Sequence, residues 1–460
     1  MARVPSNESL MKYETDVEQA LQQCKKINEQ YSYFLNFNDD ALTQARQLDR
    51  SSKKGKLAGV FISVKDNICV QHLESTAGSR ILKGYKPHFD ATVVARAREE
   101  GAIILGKTTM DEFGFGGFNT NVGLDNPIPK NPHDPLRVTG GSSGGAAGIT
   151  AKAAFHHVAI AESTGGSIEN PAAFCGVIGY CPTYGILSRH GLISYANSLD
   201  KIGLMSKKVK DLIPVLDVIV GVDEKDPTSL PAPSFQSAKQ QFRIGLIKES
   251  LHNVDPAVKA VMVKTMASLK KGGHTIEDVS LPLTFKYGLA TYYILACCEA
   301  STNLACLCGL RYGQETAVAG KSFHDYFTQI RSLHFNLESK RRIMLGTFAR
   351  SAGYRDAYYL KATKVRTQII EEYKQLFQRY DLLISPTMPV VAPLLSEIKK
   401  MAPLQQYQMD QLTVGPNVAG IPHASVPCGR VGKMPVGLLV MANHLQDASV
   451  LRFLQLVENL

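Results

Sequence analysis

Apolar positions along this chain repeat with more than one period, and the changes between periods predict its elements. Over residues 8–30, Leu10, Tyr13, Val17, Leu21, Cys24 and Ile27 recur at steps of three and four, the spacing of one face of an amphipathic helix. The run LAGVFISVKDNICV, residues 57–70, is largely apolar and reads as a buried strand ended by one lysine, Lys65. Residues 91–100 read as a helix and AIIL, 102–105, as a strand. FRIGLIKES, 242–250, starts another strand, and DPAVKAVMVKTMASLKKGG, 255–273, is a helix that Asp255 caps and Gly272 ends. Helices follow at 287–307 and 355–380, then the strands DLLIS and PVGLLVMAN (435–443) and a last helix at 447–459. Strands alternating with helices predict an α/β fold, a mixed central β-sheet wrapped by helices. Length alone suggests about three domains at ~150 residues each. No Pro/Ser-rich linker divides the chain, however, so the reading is a helical N-terminal extension, 1–50, followed by one domain, 51–460.

Composition narrows the classes. With 44% apolar residues the chain can bury a large core, and no apolar run reaches the ~18–20 residues of a membrane span. The net charge of +10 favours contact with something acidic. Its lysines and arginines are dispersed, and no zinc-finger, helix-turn-helix or RNA-binding signature accompanies them. Nine cysteines, an odd number, sit mostly in apolar contexts. Cys306-Leu-Cys308 lacks the second pair that a zinc site needs, so all nine read as thiols in a reducing compartment. The N-terminus lacks the apolar core of a secretory signal. Arg3 is compatible with a mitochondrial address, while Glu8, Glu14 and Asp16 fit a transit peptide badly.

Candidate chemistry concentrates between Val138 and Ala173. TGGSSGGAAG (139–148) sets two serines between two Gly-Gly pairs, and ESTGGSIENPAA (162–173) places the serine of a second Gly-Gly-Ser 25 positions after Ser142. Glycines let backbone N–H groups approach a ligand closely, so each stretch can present a hydroxyl beside amide donors, as acyl transfer requires. A serine hydroxyl needs a base. His156 and His157 lie in ordinary helix or strand, which leaves Lys65, desolvated at the end of its strand. A lysine held neutral at pH 7 costs about 4–5 kcal/mol against an ordinary pKa of about 10.4, so only a tightly built site could keep one. Two literal motif matches compete. GAIILGKT, 101–108, has the phosphate-loop pattern, but its intervening residues are apolar and strand-like. GGSSG, 140–144, matches a nucleophile elbow with His423 as its histidine; that leaves Lys65 and Ser167 unexplained, and His423 reads as a histidine in a buried loop.

SVKDNI (63–68), GGSSGG (140–145), TGGSI (164–168) and NPAAFCGVIG (170–179) resemble the amidase signature family of Ser–cis-Ser–Lys hydrolases. KTTMDEFGFG (107–116), PTYGILSRHGLISYANSLDKIG (182–203), RRIMLGTFARSAGYRDAYY (341–359) and NVAGIPHASVPCG (417–429) extend the resemblance to the A subunits of glutamyl-tRNA(Gln) amidotransferases. The resemblance implies that Lys65 is the base, Ser142 the bridging serine after a cis peptide bond and Ser167 the nucleophile. Backbone N–H groups of Thr164, Gly165 and Gly166 would hold the oxyanion. It implies a glutamine pocket in which Arg342 takes the carboxylate, Asp410 the ammonium and Tyr293 contributes a hydroxyl, with Arg341 and Tyr292 as the alternatives one position away. The ammonia would pass to a B subunit that amidates Glu-tRNA(Gln), braced by a small third subunit. ATP and magnesium would be used by that partner, with no cofactor or metal in this chain. The mitochondrial matrix is the expected location, the cytoplasm the alternative. One departure stands inside the signature: the family's Asp-Thr-Gly-Gly-Ser-Ile-Arg is here Ser163 to Glu169, with both the acid and the arginine gone. Loss of both members of a buried ion pair can be nearly neutral, which predicts a compensated site.

Overall fold

The computed structural model describes residues 12–310, 312–315 and 322–458. Leu10 and the start of the expected first helix, and the last residue of the final one, lie outside them. Among the described residues one sheet runs through the molecule. Its strands are β1 (Phe34–Phe37), β2 (Phe61–Lys65), β3 (Ile103–Thr108), β4 (His157–Ser163), β5 (Ile178–Cys181), β6 (Lys201–Ser206), β7 (Arg243–Ile247), β8 (Thr275–Val279), β9 (Leu382–Pro386), β10 (His423–Val431) and β11 (Met434–Ala442). They lie in the order β1-β3-β2-β4-β6-β5-β10-β11-β9-β7-β8. The sheet is mixed as expected. β3-β2-β4 and β9-β7-β8 are parallel, and the strands from β4 to β9 between them are antiparallel.

Parallel neighbours need a crossover, and helices supply it. The first helices are α1 (Lys12–Tyr31), α2 (Ala41–Arg50), α3 (Thr92–Glu99), α4 (Gly144–Lys152), α5 (Glu169–Cys175), α6 (Val209–Ile219), α7 (Pro256–Lys271) and α8 (Pro282–Asn303). α3 joins β2 to β3, α4 joins β3 to β4, and α7 joins β7 to β8. Asp255 does cap α7, accepting the Ala257 N–H at 2.7 Å. With helices on both faces, strand runs are continuously apolar because successive side chains enter different cores. In β11, Leu438 and Val440 join the core of α3 and α6, while Leu439 and Met441 pack with Tyr292 and Leu295 of α8. The same alternation places Ile62 and Val64 of β2 in the first core and turns Lys65 the other way.

The N-terminal segment is built into the sheet. β1 pairs antiparallel with β3, and Val17, Ala20 and Cys24 of α1 bury against Ala41 and Ala45 of α2 and Leu105 of β3. Glu14, at the start of α1, pairs with Arg46 of α2 at 2.6 Å. No helix among the described residues is long and apolar enough to cross a membrane.

Candidate active site

Lys65 is fully buried where β2 ends. Its Nζ donates to Ser142 Oγ at 2.7 Å, to the Glu162 carbonyl at 2.8 Å and to Glu162 Oε2 at 2.9 Å, three acceptors for the three protons of an ammonium. The Gly141–Ser142 peptide is cis. The glycine at 141 is a steric necessity: a Cβ there would lie 2.1 Å from Asp111 Oδ2 and 2.6 Å from the Asn119 nitrogen. Asp111 in turn fixes the loop over the site by accepting the N–H groups of Asn119 and Asn121. Burial pushes its carboxyl up to about 6, against those two hydrogen bonds and the Lys65 charge. The two glycine stretches meet through the backbone, where the Ser143 N–H donates to the Ser167 carbonyl at 3.2 Å.

Ser167 sits at the N-terminus of α5 and keeps 6% of its surface exposed in an otherwise closed neighbourhood. The loop before it is held from three sides. Thr164 Oγ1 and the Tyr292 hydroxyl hydrogen bond at 3.0 Å, the Thr413 hydroxyl donates to the Gly165 carbonyl at 2.7 Å, and the Gly166 N–H donates to Ser163 Oγ at 3.1 Å. A Cβ on Gly165 would lie 2.4 Å from Tyr292 Cζ, so the loop's path excludes a side chain there.

The altered signature has its own network. Glu169 Oε2 accepts the Ser163 hydroxyl at 3.0 Å and the Ile168 N–H at 3.1 Å. Its Oε1 accepts Asn417 Nδ2 at 2.8 Å and pairs with His423 Nε2. Lys201 Nζ approaches His423 Nδ1 at 3.4 Å. Burial alone would raise the Glu169 carboxyl, but His423 and then Lys201 hold it down at about 2. The family's acid and arginine are thus replaced by an acid at the arginine's position and cationic or N–H groups around it. Cys181 completes a buried trio with Glu169 and His423 whose ligand atoms lie within 4.8 Å of one another. The Lys201 ammonium beside it opposes a bound cation, and the hydrogen bonds already occupy Glu169. His423 is not in a loop, as its sequence context suggests; it is the first residue of β10 and serves this network.

A second wall is formed by α8, α10 (Leu337–Arg350, after α9, Phe323–His334) and the segment 403–413. The Tyr293 hydroxyl donates to Asp410 Oδ2 at 2.6 Å. Arg342 is buried, donates to Glu338 Oε1 and to the Tyr195 hydroxyl at 2.8 Å each, and lies over the rings of Phe115, Tyr293 and Tyr407. Arg341 is a third exposed and pairs with the outer side of Glu338. Tyr292 faces the loop of Thr164, and Tyr293 faces Asp410, so the neighbouring tyrosines have separate positions. Burial, with Asp111 and Glu169 adding to it, pushes the Asp410 carboxyl up to about 6 despite the Tyr293 hydrogen bond.

The competing motifs have structural roles. The phosphate-loop match is β3 itself, with Lys107 Nζ buried against the Ile68 carbonyl at 2.6 Å and Ser75 Oγ at 2.7 Å. Ser142 is partnered by Lys65 rather than by a histidine. His157 bonds Ser63 at 3.0 Å, and burial pushes its pKa down to about 3. Residues that no sequence pattern singled out are Glu162, Asp111, Lys201, Asn417, Tyr195 and Glu338. Glu162 had a signal: VAIAE, like FISVK, is an apolar strand that ends on a lone charge, and the two strands are neighbours.

The Amidase family model matches residues 16–451. The chain is 44% identical to the glutamyl-tRNA(Gln) amidotransferase A subunit of Archaeoglobus fulgidus over 423 residues, 92% of this chain and 90% of that protein. It is 44% identical to the corresponding A subunit of Geobacillus kaustophilus over 448 residues, 95% and 91% of the two chains. The crystal structure of the Thermotoga maritima A subunit superposes with a TM-score of 0.81 at 33% identity, over 99% of this chain and 92% of that one.

Proposed function

The chain belongs to the amidase family, and from that membership and the likeness to three A subunits over nearly their whole length we propose that it is the glutaminase subunit of a glutamyl-tRNA(Gln) amidotransferase. The observation that carries the chemistry is the contact of Lys65 Nζ with Ser142 Oγ, 2.7 Å, inside a fully buried site that adjoins the loop bearing Ser167. In the proposed reaction Ser142 passes the Ser167 proton towards Lys65, and Ser167 Oγ attacks the carboxamide carbon of glutamine. The oxyanion would rest on N–H groups of the loop, those of Thr164, Gly165 and Gly166, of which Gly166 donates to Ser163 Oγ in the resting site. The relay's proton goes to the leaving nitrogen, ammonia departs, and water then releases glutamate from the acyl-enzyme with the same residues acting in reverse.

In this reading Arg342, Asp410 and Tyr293 are the three groups that would hold glutamine. Arg342 supports the carboxylate role better than Arg341 because it is inside, and Asp410 with Tyr293 forms an acceptor for the ammonium. A partner B subunit that uses ATP and magnesium, and a small third subunit, would take the ammonia to Glu-tRNA(Gln). The archaeal and bacterial relatives favour the cytoplasm over the mitochondrial matrix for this work. The test is ammonia release from glutamine by the chain with its B-type partner and misacylated tRNA. Wild type should be active and Ser167→Ala should lose at least about a thousandfold. Equal silence of both, with the complex still making Gln-tRNA from added ammonium, would make the chain a scaffold.

A further inference from the structure

The mechanism above leaves unused the buried charge that touches its base. Glu162, the last residue but one of β4, has its carboxylate 2.9 Å from Lys65 Nζ, with both side chains wholly inaccessible to solvent. Asn67 Nδ2 also donates to Glu162 Oε2, at 3.0 Å, whereas Oε1 is buried and has no hydrogen-bond partner among the described residues. The carboxylate therefore has acceptor capacity to spare. A Cβ added to Gly114 would sit 3.6 Å from both Glu162 Oε2 and Ser142 Oγ, so carboxylate and serine face the same small space around Nζ.

A lysine in a direct ion pair is an ammonium, and an ammonium cannot take a proton from Ser142. We propose that Glu162 is the terminal proton acceptor of the relay, acting through Lys65. As Ser167 Oγ bonds to the carbonyl carbon, its proton moves to Ser142 Oγ, the Ser142 proton moves to Lys65 Nζ, and one Nζ proton moves to Glu162 Oε2. Lys65 ends as it began, an ammonium. The pair changes from ammonium and carboxylate to ammonium and carboxylic acid, and the negative charge has moved from Glu162 to the tetrahedral oxyanion. When the C–N bond breaks, the proton returns by the same path to the leaving nitrogen. A neutral resting lysine is not needed, and its cost is avoided.

The other ionisable groups that reach the pair are Asp200 before β6, Cys181 on β5 and Asp111 behind Lys65. Burial pushes Asp200 and Cys181 well above their ordinary ranges, and Asp111 makes no hydrogen bond or ion pair with Nζ, which leaves Glu162, in contact at 2.9 Å, as the direct counter-ion of Lys65.

This rests on the Ser–Ser–Lys reading but not on glutamine as the substrate, so the assay is the rate at which a fluorophosphonate labels Ser167 between pH 5 and 10. Glu162→Gln keeps the shape and the Asn67 side of the site while it removes the acceptor; Glu162→Asp keeps an acceptor. Circular dichroism and thermal melting establish that each is folded. Glu162→Gln should label about a hundredfold more slowly at pH 7, and its acid limb should lie at higher pH than that of the wild type because the terminal acceptor is gone. Glu162→Asp should regain part of the rate with the wild-type limb. Wild-type rate and an unshifted limb in folded Glu162→Gln overturn the assignment, and so does a uniform fall with no shift. Absence of Ser167 labelling in wild type overturns the relay itself, whereas labelling without ammonia release refutes only the choice of glutamine.

Discussion

Asp410 carries a charge that depends on pH near neutrality. Its carboxyl is pushed up to about 6, chiefly by burial, so it is ionised above that pH and neutral below it. In the proposed glutamine site Asp410 would hold the ammonium and must be ionised to do so, which predicts a wild-type KM for glutamine that rises as pH falls through about 6. Asp410→Asn should have a high KM at every pH, with kcat changed less than KM. Kinetics at pH 5.5, 6.5 and 7.5 measure both. Glu169 shows what a residue type alone does not predict. At the arginine's place in the family signature it would look like a lesion, yet it receives hydrogen bonds or ionic contacts from Ser163, Asn417 and His423. Glu169→Arg should therefore fail to restore anything. It sets a cation against Lys201 and His423 and removes their acceptor, a loss of about 3–5 kcal/mol expected when a buried pair is broken. A clear drop in melting temperature relative to wild type checks this. If Glu169→Arg were neutral, the network would have no structural weight.

The elements that hold these residues follow from local rules in some places and not in others. β2, α3, β3, α7 and β11 were legible because each combines a clear period with end signals; Asp255 and the continuous run at 435–443 are examples. β5 and β6 were not. Their apolar runs are short and broken by glycine and charge, as in IGYC and KIGLMS, and they acquire strand character only by pairing with neighbours distant in the chain. The glycine stretches were legible as special but not in their reasons. Only the fold shows that Gly141 must be small because Asp111 fills the place of its Cβ, and Gly165 because Tyr292 does. Gly141→Ala should displace the Asp111 loop and the bridging serine together. The expected cost is about 1–3 kcal/mol of stability, as for overpacked sites. A larger loss of Ser167 labelling than of melting temperature distinguishes this from simple unfolding.

At the scale of the whole molecule, the N-terminal helices are part of the body rather than an appendage. Removal of residues 1–31 would uncover Phe61, Ile103 and Leu105 on β2 and β3, which carry Lys65 at one end. Truncation is therefore expected to lower solubility and the melting temperature and to slow labelling of Ser167. A truncated chain as stable and active as the full one would show that the sheet holds its end without α1. What the sequence determined by itself was the alternation of strands and helices, the two Gly-Gly-Ser stretches and the lysine ending a buried strand, because period, glycine content and a lone charge in an apolar run are local properties. The tertiary structure alone decided which arginine faces inwards, which partner each of the two tyrosines takes, what replaces the lost ion pair, and that Lys65 has a carboxylate partner. Those are contacts between residues 97 to 254 positions apart, set by strand order and helix rotation, and no local pattern encodes them.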